Sequence, residues 1–170
     1  MAQEELFKGR YLRLTIEKKP SADGKTEVTL ERVFCRNGIS VIAVPKPGFI
    51  RLIHEKDWNT EKMRTKLVSA YREDGEEALA CAKRELEEEL GLVAGSWQHF
   101  STAKTEGAMF KEQDFFIASD LSQGEAKPDA NEEIRGHIDW SHAEVKAKVL
   151  EGFFGNHENA FPMLKYVLEN

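Results

Sequence analysis

Alternating apolar and polar residues predict a series of short strands. Tyr11–Glu17 alternates residue by residue, which is typical of a half-buried strand. Pro20, Asp23 and Gly24 then favour a turn, so Thr26–Phe34 is predicted to return as the second strand of an N-terminal hairpin. Further strands are predicted at Gly38–Val44, Phe49–His54, Trp97–Thr102, Asp114–Ala118 and Glu132–Ile138.

A helical periodicity appears in three later segments. The strongest helix is predicted from Glu76 to Leu90, with Asp74 or Gly75 as its cap and Gly91 at its end. Its stripe of Leu79, Ala82, Leu86 and Leu90 is expected to face the core. Two closing helices are predicted at His142–Leu150 and Ala160–Leu168, and loops at Trp58–Lys66 and Ser119–Asn131. Strands mixed with helices in this way predict an α+β fold arranged as an α/β/α sandwich.

Composition narrows the class of protein. A chain of 170 residues fits one compact domain, with room for a small appended element. Its formal net charge of −6 argues against sequence-independent nucleic-acid binding. Cys35 and Cys81 have no metal-ligand spacing, and no apolar run is long enough to span a bilayer. We therefore expect reduced thiols, a cytoplasmic location, and neither nucleic acid nor membrane as a partner.

The predicted central helix carries an unusual concentration of glutamates. Glu85 and Glu89 are four residues apart and border the apolar stripe, and Glu88 lies on the same flank. A solvated acidic face is the common explanation of such a run. However, like charges at this spacing repel, and burial raises the cost. A hard divalent cation would relieve the conflict, so the spacing makes a magnesium site reasonable.

The segment Ala70–Leu92 resembles the Nudix box, G-x5-E-x7-R-E-U-x-E-E-x-G-U, in which U is a bulky aliphatic residue. Eight of the nine specified positions match at the required spacing, and the exception is Ala70, which stands where the box opens with glycine. The matching residues are Glu76, Arg84, Glu85, Leu86, Glu88, Glu89, Gly91 and Leu92. The resemblance implies a Nudix fold with a mixed β-sheet core and flanking helices. If the glycine is required for a positive φ or for a close approach of the backbone, Ala70 should strain the loop and weaken metal binding.

The resemblance also implies residue roles. Glu85 and Glu89 would be direct Mg²⁺ ligands, with Mn²⁺ as a possible substitute, and Glu88 would be a ligand or position the attacking water. The main-chain carbonyl of Ser69 would be a further ligand. Arg84 would hold the geometry of the site by pairing with a carboxylate such as that of Glu76.

Beyond the box, the chain resembles the ADP-ribose and nucleoside-diphosphate-sugar branch of the family. Residues 1–36 are similar to its N-terminal strand pair, which implies a homodimer, and residues 37–170 would form the hydrolase domain. The acidic segment that begins at Asn131 is similar to the loop that can supply a catalytic glutamate. Glu132 is therefore the first candidate for the general base and Glu133 the second, and Glu88 is an alternative.

The predicted activity is Mg²⁺-dependent hydrolysis of a small nucleotide, most simply ADP-ribose or a nucleoside diphosphate sugar, to a nucleoside monophosphate and a sugar phosphate. Arg51 and Lys56 precede the box and are candidates for contacting phosphate. Two alternatives stay open at this point. The substrate could be a nucleoside triphosphate or a dinucleoside polyphosphate, or the protein could be a sensor that binds nucleotide-sugar without turnover.

Overall fold

A computed structural model of the protein describes residues 3–127, 133–154 and 157–170. Within these ranges it contains ten strands and three helices. The strands are β1 (Glu4–Lys8), β2 (Leu12–Pro20), β3 (Glu27–Cys35), β4 (Gly38–Ala43), β5 (Phe49–Asp57), β6 (Lys62–Lys66), β7 (Val68–Tyr71), β8 (Leu92–Thr105), β9 (Met109–Gln123) and β10 (Ile134–Ser141). The helices are α1 (Ala78–Leu90), α2 (His142–Leu150) and α3 (His157–Glu169).

The strands form one mixed sheet with β4 at its centre. Its main path runs β1-β2-β3-β9-β4-β5-β10, while β6 pairs with β5, β7 with β4 and β8 with β9. Strand β4 pairs parallel with β9 and antiparallel with β5 and β7. Because β7 leads into the segment that precedes α1, this central pairing fixes the start of the box against the middle of the sheet.

The side chains of β4 alternate between two hydrophobic clusters. Ile39 and Val41 lie in a cluster with Leu86 of α1, whereas Ile42 lies in a cluster with Met163 of α3 and Val145 of α2. Successive strand residues point to opposite faces, so α1 covers one face of the sheet and α2 and α3 cover the other. This arrangement confirms the predicted α/β/α sandwich.

Helix α1 ends where the sequence predicts and begins later. Gly91 has φ 62°, and its N–H donates to the carbonyls of Glu87 and Leu86, which closes the helix. The predicted start at Glu76 and cap at Asp74 or Gly75 are wrong, because Glu77 is the extended N-cap residue. The predicted stripe is also shifted, since Leu79 is 38% exposed and Cys81 is fully buried in its place.

The polar stretch Trp58–Lys66, predicted as a loop, contains the edge strand β6, which pairs with β5. Strand β7 was not predicted at all, and β8 and β9 form a longer hairpin than predicted, including Ser119 to Gln123. Side chains of β6 and of Ser119–Gln123 are exposed or half-buried, so the apolar alternation that predicts strands is weak there. No helix of the described residues is long and apolar enough to cross a membrane.

Strands β1, β2 and β3 form an antiparallel extension of the sheet at the N-terminus. The β2–β3 hairpin is regular from Leu12 opposite Cys35 to Pro20 opposite Glu27. The extension joins the rest of the sheet through a short parallel pairing of β3 with β9, at Val33 and Phe34. Residues 1–36 as a separate element and residues 37–170 as a domain stay a prediction.

Candidate active site

The glutamates of α1 differ sharply in exposure. Glu85 is 6% exposed and Glu89 is 4% exposed, whereas Glu87 is exposed and the side chain of Glu88 is 32% exposed. Helix α1 packs against β7, which contains Ser69. The predicted ligands Glu85 and Glu89 therefore lie on the buried side of the helix, and Glu88 lies at the edge that solvent reaches.

Arg84 connects the glutamates of the box. Its Nε and Nη2 donate to Glu76 Oε1 and Oε2 over 3.0 and 3.1 Å. Its Nη1 donates to Glu85 Oε1 at 2.5 Å and to Glu88 Oε2 at 2.8 Å. The surrounding carboxylates raise the pKa of Arg84 above its ordinary value. The expected pairing of Arg84 with Glu76 is present in this geometry, and it extends to two of the predicted metal ligands.

Glu76 is held in the loop before α1 by main-chain as well as side-chain contacts. The N–H of Glu73 donates to Glu76 Oε2 over 2.9 Å, and the N–H of Glu76 donates to the carbonyl of Glu73 over 3.1 Å. The hydrogen bond from Arg84 is the main cause that lowers the pKa of Glu76 to about 2. Glu76 is therefore an anion at neutral pH and pairs with Arg84.

Cys81 lies beside these charges but is unsuited to nucleophilic chemistry. It is fully buried in the cluster beneath α1, and burial is the main cause that raises the pKa of its thiol to about 12. Because the thiolate is the reactive form, the thiol is inert at neutral pH. Cys81 is a small packed residue, as expected.

Ala70 occupies the box-glycine position without strain. It lies within β7, opposite Ile39 of β4, and it packs partly buried against the cluster beneath α1. The described non-glycine residues with positive φ are Glu61 and Asp120, so Ala70 has a conformation that any residue can adopt. The expected strain is absent because Ala70 continues a paired strand and does not form a turn.

The structure brings Lys56 and Glu133 together. The N–H of Lys56 donates to the carbonyl of Glu133 over 3.1 Å, and their side chains are 4.0 Å apart. Lys56 also pairs with Glu61 at 2.5 Å. Glu133 accepts hydrogen bonds from Arg135, which is the main cause that lowers its pKa. Glu132 lies outside the described residues.

Arg51 makes a two-point contact with the neighbouring strand. Its Nε and Nη2 donate to the two carboxylate oxygens of Asp139 over 2.6 and 2.8 Å. This pair spans β5 and β10, where the two residues stand opposite each other. The contact gives Arg51 a structural role and does not test its predicted contact with phosphate.

The NUDIX domain family model matches residues 36–155 of the chain. The protein belongs to the NUDIX family. It is similar to the ADP-ribose pyrophosphatase of Bacillus subtilis (strain 168), with 28% identity over 134 residues, 78% of this chain and 72% of that protein. It also resembles a crystal structure of an ADP compounds hydrolase with a TM-score of 0.82 and 18% identity, covering 99% of this chain and 90% of the other.

The box of this NUDIX protein offers oxygen donors that suit Mg²⁺. No cluster of three or more histidine, cysteine, aspartate or glutamate side chains is poised around a metal position in the described ranges. Arg84 Nη1 instead bridges Glu85 and Glu88. Two buried carboxylates four residues apart, Glu85 and Glu89, nevertheless favour a cation at this side of the helix. The donor set therefore fits a hard divalent ion.

The fold also places a polar network behind Ser69 that the sequence did not predict. The Ser69 hydroxyl is 2.8 Å from that of the fully buried Ser40, which in turn donates to Asn159 Oδ1 of α3 over 3.0 Å. Gln113 of β9 donates to Ser40 Oγ and to the carbonyl of Ile39. Single polar residues in apolar strands are the only sequence signal for this network, and their partners are remote along the chain.

Proposed function

We propose that this NUDIX protein is an Mg²⁺-dependent pyrophosphohydrolase that converts ADP-ribose or a nucleoside diphosphate sugar into a nucleoside monophosphate and a sugar phosphate. The observation that carries the proposal is the buried pair Glu85 and Glu89 on one side of α1, with Glu85 linked to the neighbouring Glu88 through Arg84. The similarity to an ADP-ribose pyrophosphatase supports ADP-ribose as the first substrate to test.

The carboxylates of Glu85 and Glu89 and the main-chain carbonyl of Ser69 would hold the metal, and Glu88 would be a further ligand or position the attacking water. Bound Mg²⁺ would supply electrostatic stabilisation of the diphosphate and its leaving group. Mn²⁺ prefers similar oxygen donors and should substitute. Arg84 keeps Glu85 and Glu88 oriented through its contacts with both carboxylates.

Glu88 is our preferred group to accept the proton of the attacking water. Its side chain is 32% exposed, so water reaches it. A general base must be ionised and within reach of the proton. Glu133 is another candidate, and its carboxylate accepts hydrogen bonds from Arg135, which lower its pKa. Glu132 remains the alternative candidate.

Lys56 and Arg51 are proposed to contact the substrate phosphates. Lys56 lies on β5 beside Glu133 and is also 4.8 Å from the ring of Trp58. Both cations already have carboxylate partners, so binding of phosphate would exchange one anion for another. We also propose a cytoplasmic homodimer that uses its N-terminal strands in the dimer contact.

The function is tested by incubating the purified protein with Mg²⁺ and a nucleotide panel and separating the products by chromatography. We expect ADP-ribose or a nucleoside diphosphate sugar to yield a nucleoside monophosphate, and EDTA to abolish the reaction. Preferred cleavage of a nucleoside triphosphate or a dinucleoside polyphosphate would reject the proposed substrate class. Tight nucleotide binding without any product would instead indicate a sensor.

Two substitutions test the site itself. Glu85→Gln and Glu88→Gln should each lower kcat by about a hundredfold or more, because each removes a charge from the metal-binding or proton-accepting side of α1. Glu87→Gln is the matched control, since Glu87 lies on the exposed side of the same helix. Circular dichroism would check that all three variants fold. Wild-type kcat in both Glu85→Gln and Glu88→Gln would rule out this site.

A further inference from the structure

Arg72 makes an unusual contact within the loop that leads to α1. Its Nε and Nη2 both donate to the main-chain carbonyl of Glu76, over 2.9 and 2.7 Å. The contact spans residues 72–76, which include Gly75 at φ 80°. A planar guanidinium suits such a two-donor contact, and a lysine ammonium cannot reproduce its geometry.

Arg72 is itself fixed on the side away from the loop. Its N–H donates to the carbonyl of Asn37 over 3.0 Å, and its Nη1 lies 4.0 Å from Asp114 Oδ2 on β9. Asp114 is held in turn by Thr102, whose hydroxyl donates to Asp114 Oδ1 over 2.6 Å. Arg72 therefore joins the sheet, through its main chain and the approach to Asp114, to the carbonyl of Glu76.

The contact satisfies a carbonyl that lies just before the helix start. Glu77 is the N-cap residue of α1, so Glu76 stands outside the helix. The carbonyl of Glu76 precedes the helix, whose first described main-chain bond at this end runs from Cys81 N–H to the carbonyl of Glu77. Arg72 therefore supplies two donors to a carbonyl that precedes the helical hydrogen-bond pattern.

We propose that Arg72 is a positioning residue that sets the metal-binding geometry of the box through Glu76 and Arg84. Arg72 fixes the main chain of Glu76, both carboxylate oxygens of Glu76 fix Arg84, and Arg84 contacts Glu85 and Glu88. The inference rests on the proposed function, because it assigns Arg72 to the metal site of that reaction.

A metal-free measurement tests the positional step directly. Arg84 Nε–H donates to Glu76 Oε1, so its hydrogen exchange, followed by NMR in EDTA, reports on this contact. In Arg72→Lys and Arg72→Met we expect this exchange to be about tenfold faster. The main chain at Glu76 is then no longer held by Arg72, so the hydrogen bond from Arg84 to Glu76 breaks more often. Arg64→Lys is the control, since Arg64 pairs with Asp57 at 2.9 Å, away from the box. Loss of the signal in Arg84→Lys assigns it.

The functional step is tested by titrating Mg²⁺ in the hydrolysis assay at saturating nucleotide. Both Arg72 variants should raise the half-activating Mg²⁺ concentration about tenfold, the usual effect of removing a group that orients metal ligands. KM for the nucleotide at saturating Mg²⁺ should change less than about twofold, because the role proposed for Arg72 is to position Glu76 and not to bind nucleotide. A general loss of stability would not shift the Mg²⁺ dependence selectively.

The inference is overturned if Arg72→Lys has the wild-type exchange rate at Arg84 Nε–H and the wild-type half-activating Mg²⁺ concentration. A positive charge near Asp114 would then be enough to position Arg84. If Arg72→Met does not fold, Arg72→Lys alone tests the inference, because it retains the positive charge and loses the two-donor contact with the Glu76 carbonyl. Absence of turnover by the wild-type protein would instead reject the proposed function. The exchange measurement would still decide whether Arg72 positions Arg84.

Discussion

Ala70 shows that a single departure from a motif can be interpreted only when the backbone conformation at that position is known. From the sequence, alanine in the glycine position of the box predicts strain and weakened metal binding. In the structure, Ala70 is a paired strand residue without a positive φ. Its methyl group packs against the cluster beneath α1, so the departure removes no metal ligand and adds no strain.

Ala70→Gly should therefore make the protein slightly less stable without improving its metal site. Glycine in a strand interior costs about 0.5–1 kcal/mol relative to alanine, because it loses more conformational freedom on folding. We expect this decrease in the free energy of unfolding, measured by urea denaturation, and an unchanged Mg²⁺ dependence of hydrolysis. A clear gain in Mg²⁺ affinity in Ala70→Gly would show that the alanine does impair the site.

The end of α1 depends on more than the conformational preference of glycine. Gly91 has φ 62°, and a Cβ at this position would lie 2.9 Å from the main-chain nitrogen of Ala126. The N–H of Gly124 donates to the carbonyl of Gly91, and that of Lys127 donates to the carbonyl of Glu88. The segment after β9 is thus packed on the turn of α1 that carries Glu88 and Glu89.

Gly91→Ala should be more destabilising than the same change at a free turn. The left-handed conformation alone costs an alanine about 1–2 kcal/mol, and the contact with Ala126 adds to it. Gly24→Ala is a matched control, because Gly24 has φ 69° and a Cβ added there would meet no atom within 4 Å. Urea unfolding would compare the two variants. An equal decrease in the free energy of unfolding in both variants would show that the contact with Ala126 does not add to the cost of Gly91→Ala.

Helices and strands with a strong hydrophobic periodicity could be predicted from the sequence. Short strands that depend on pairing with a neighbouring strand could not. The bounds of α2 match the prediction, because Ser141 and Glu144 form a capping box at its start. By contrast, β6 and β7 are short strands whose partners, β5 and β4, decide that they are strands. In the site, the box predicted the acidic cluster, while the contact of Arg72 with the carbonyl of Glu76 needed the folded loop.

The architecture as a whole leaves the N-terminal strands at one end of the sheet. Strand β1 pairs only with β2 among the described strands, so it forms an edge. All five of its residues are exposed, including the large apolar side chains of Leu6 and Phe7. Exposed apolar residues on an edge strand favour association with another chain, which agrees with the homodimer implied by the resemblance.

We therefore expect the protein to sediment at about twice its chain mass of 19.3 kDa and Phe7→Glu to shift it towards the monomer. A carboxylate in place of the apolar Phe7 side chain would have to be buried in a dimer contact, which is costly without a partner. Phe161→Glu is the control, because Phe161 is also exposed but lies on α3, which covers one face of the sheet. Sedimentation equilibrium measures both variants. A monomeric wild-type protein would contradict this prediction. So would a dimer that Phe7→Glu leaves intact while Phe161→Glu breaks it, because the N-terminal strands would then lie outside the interface.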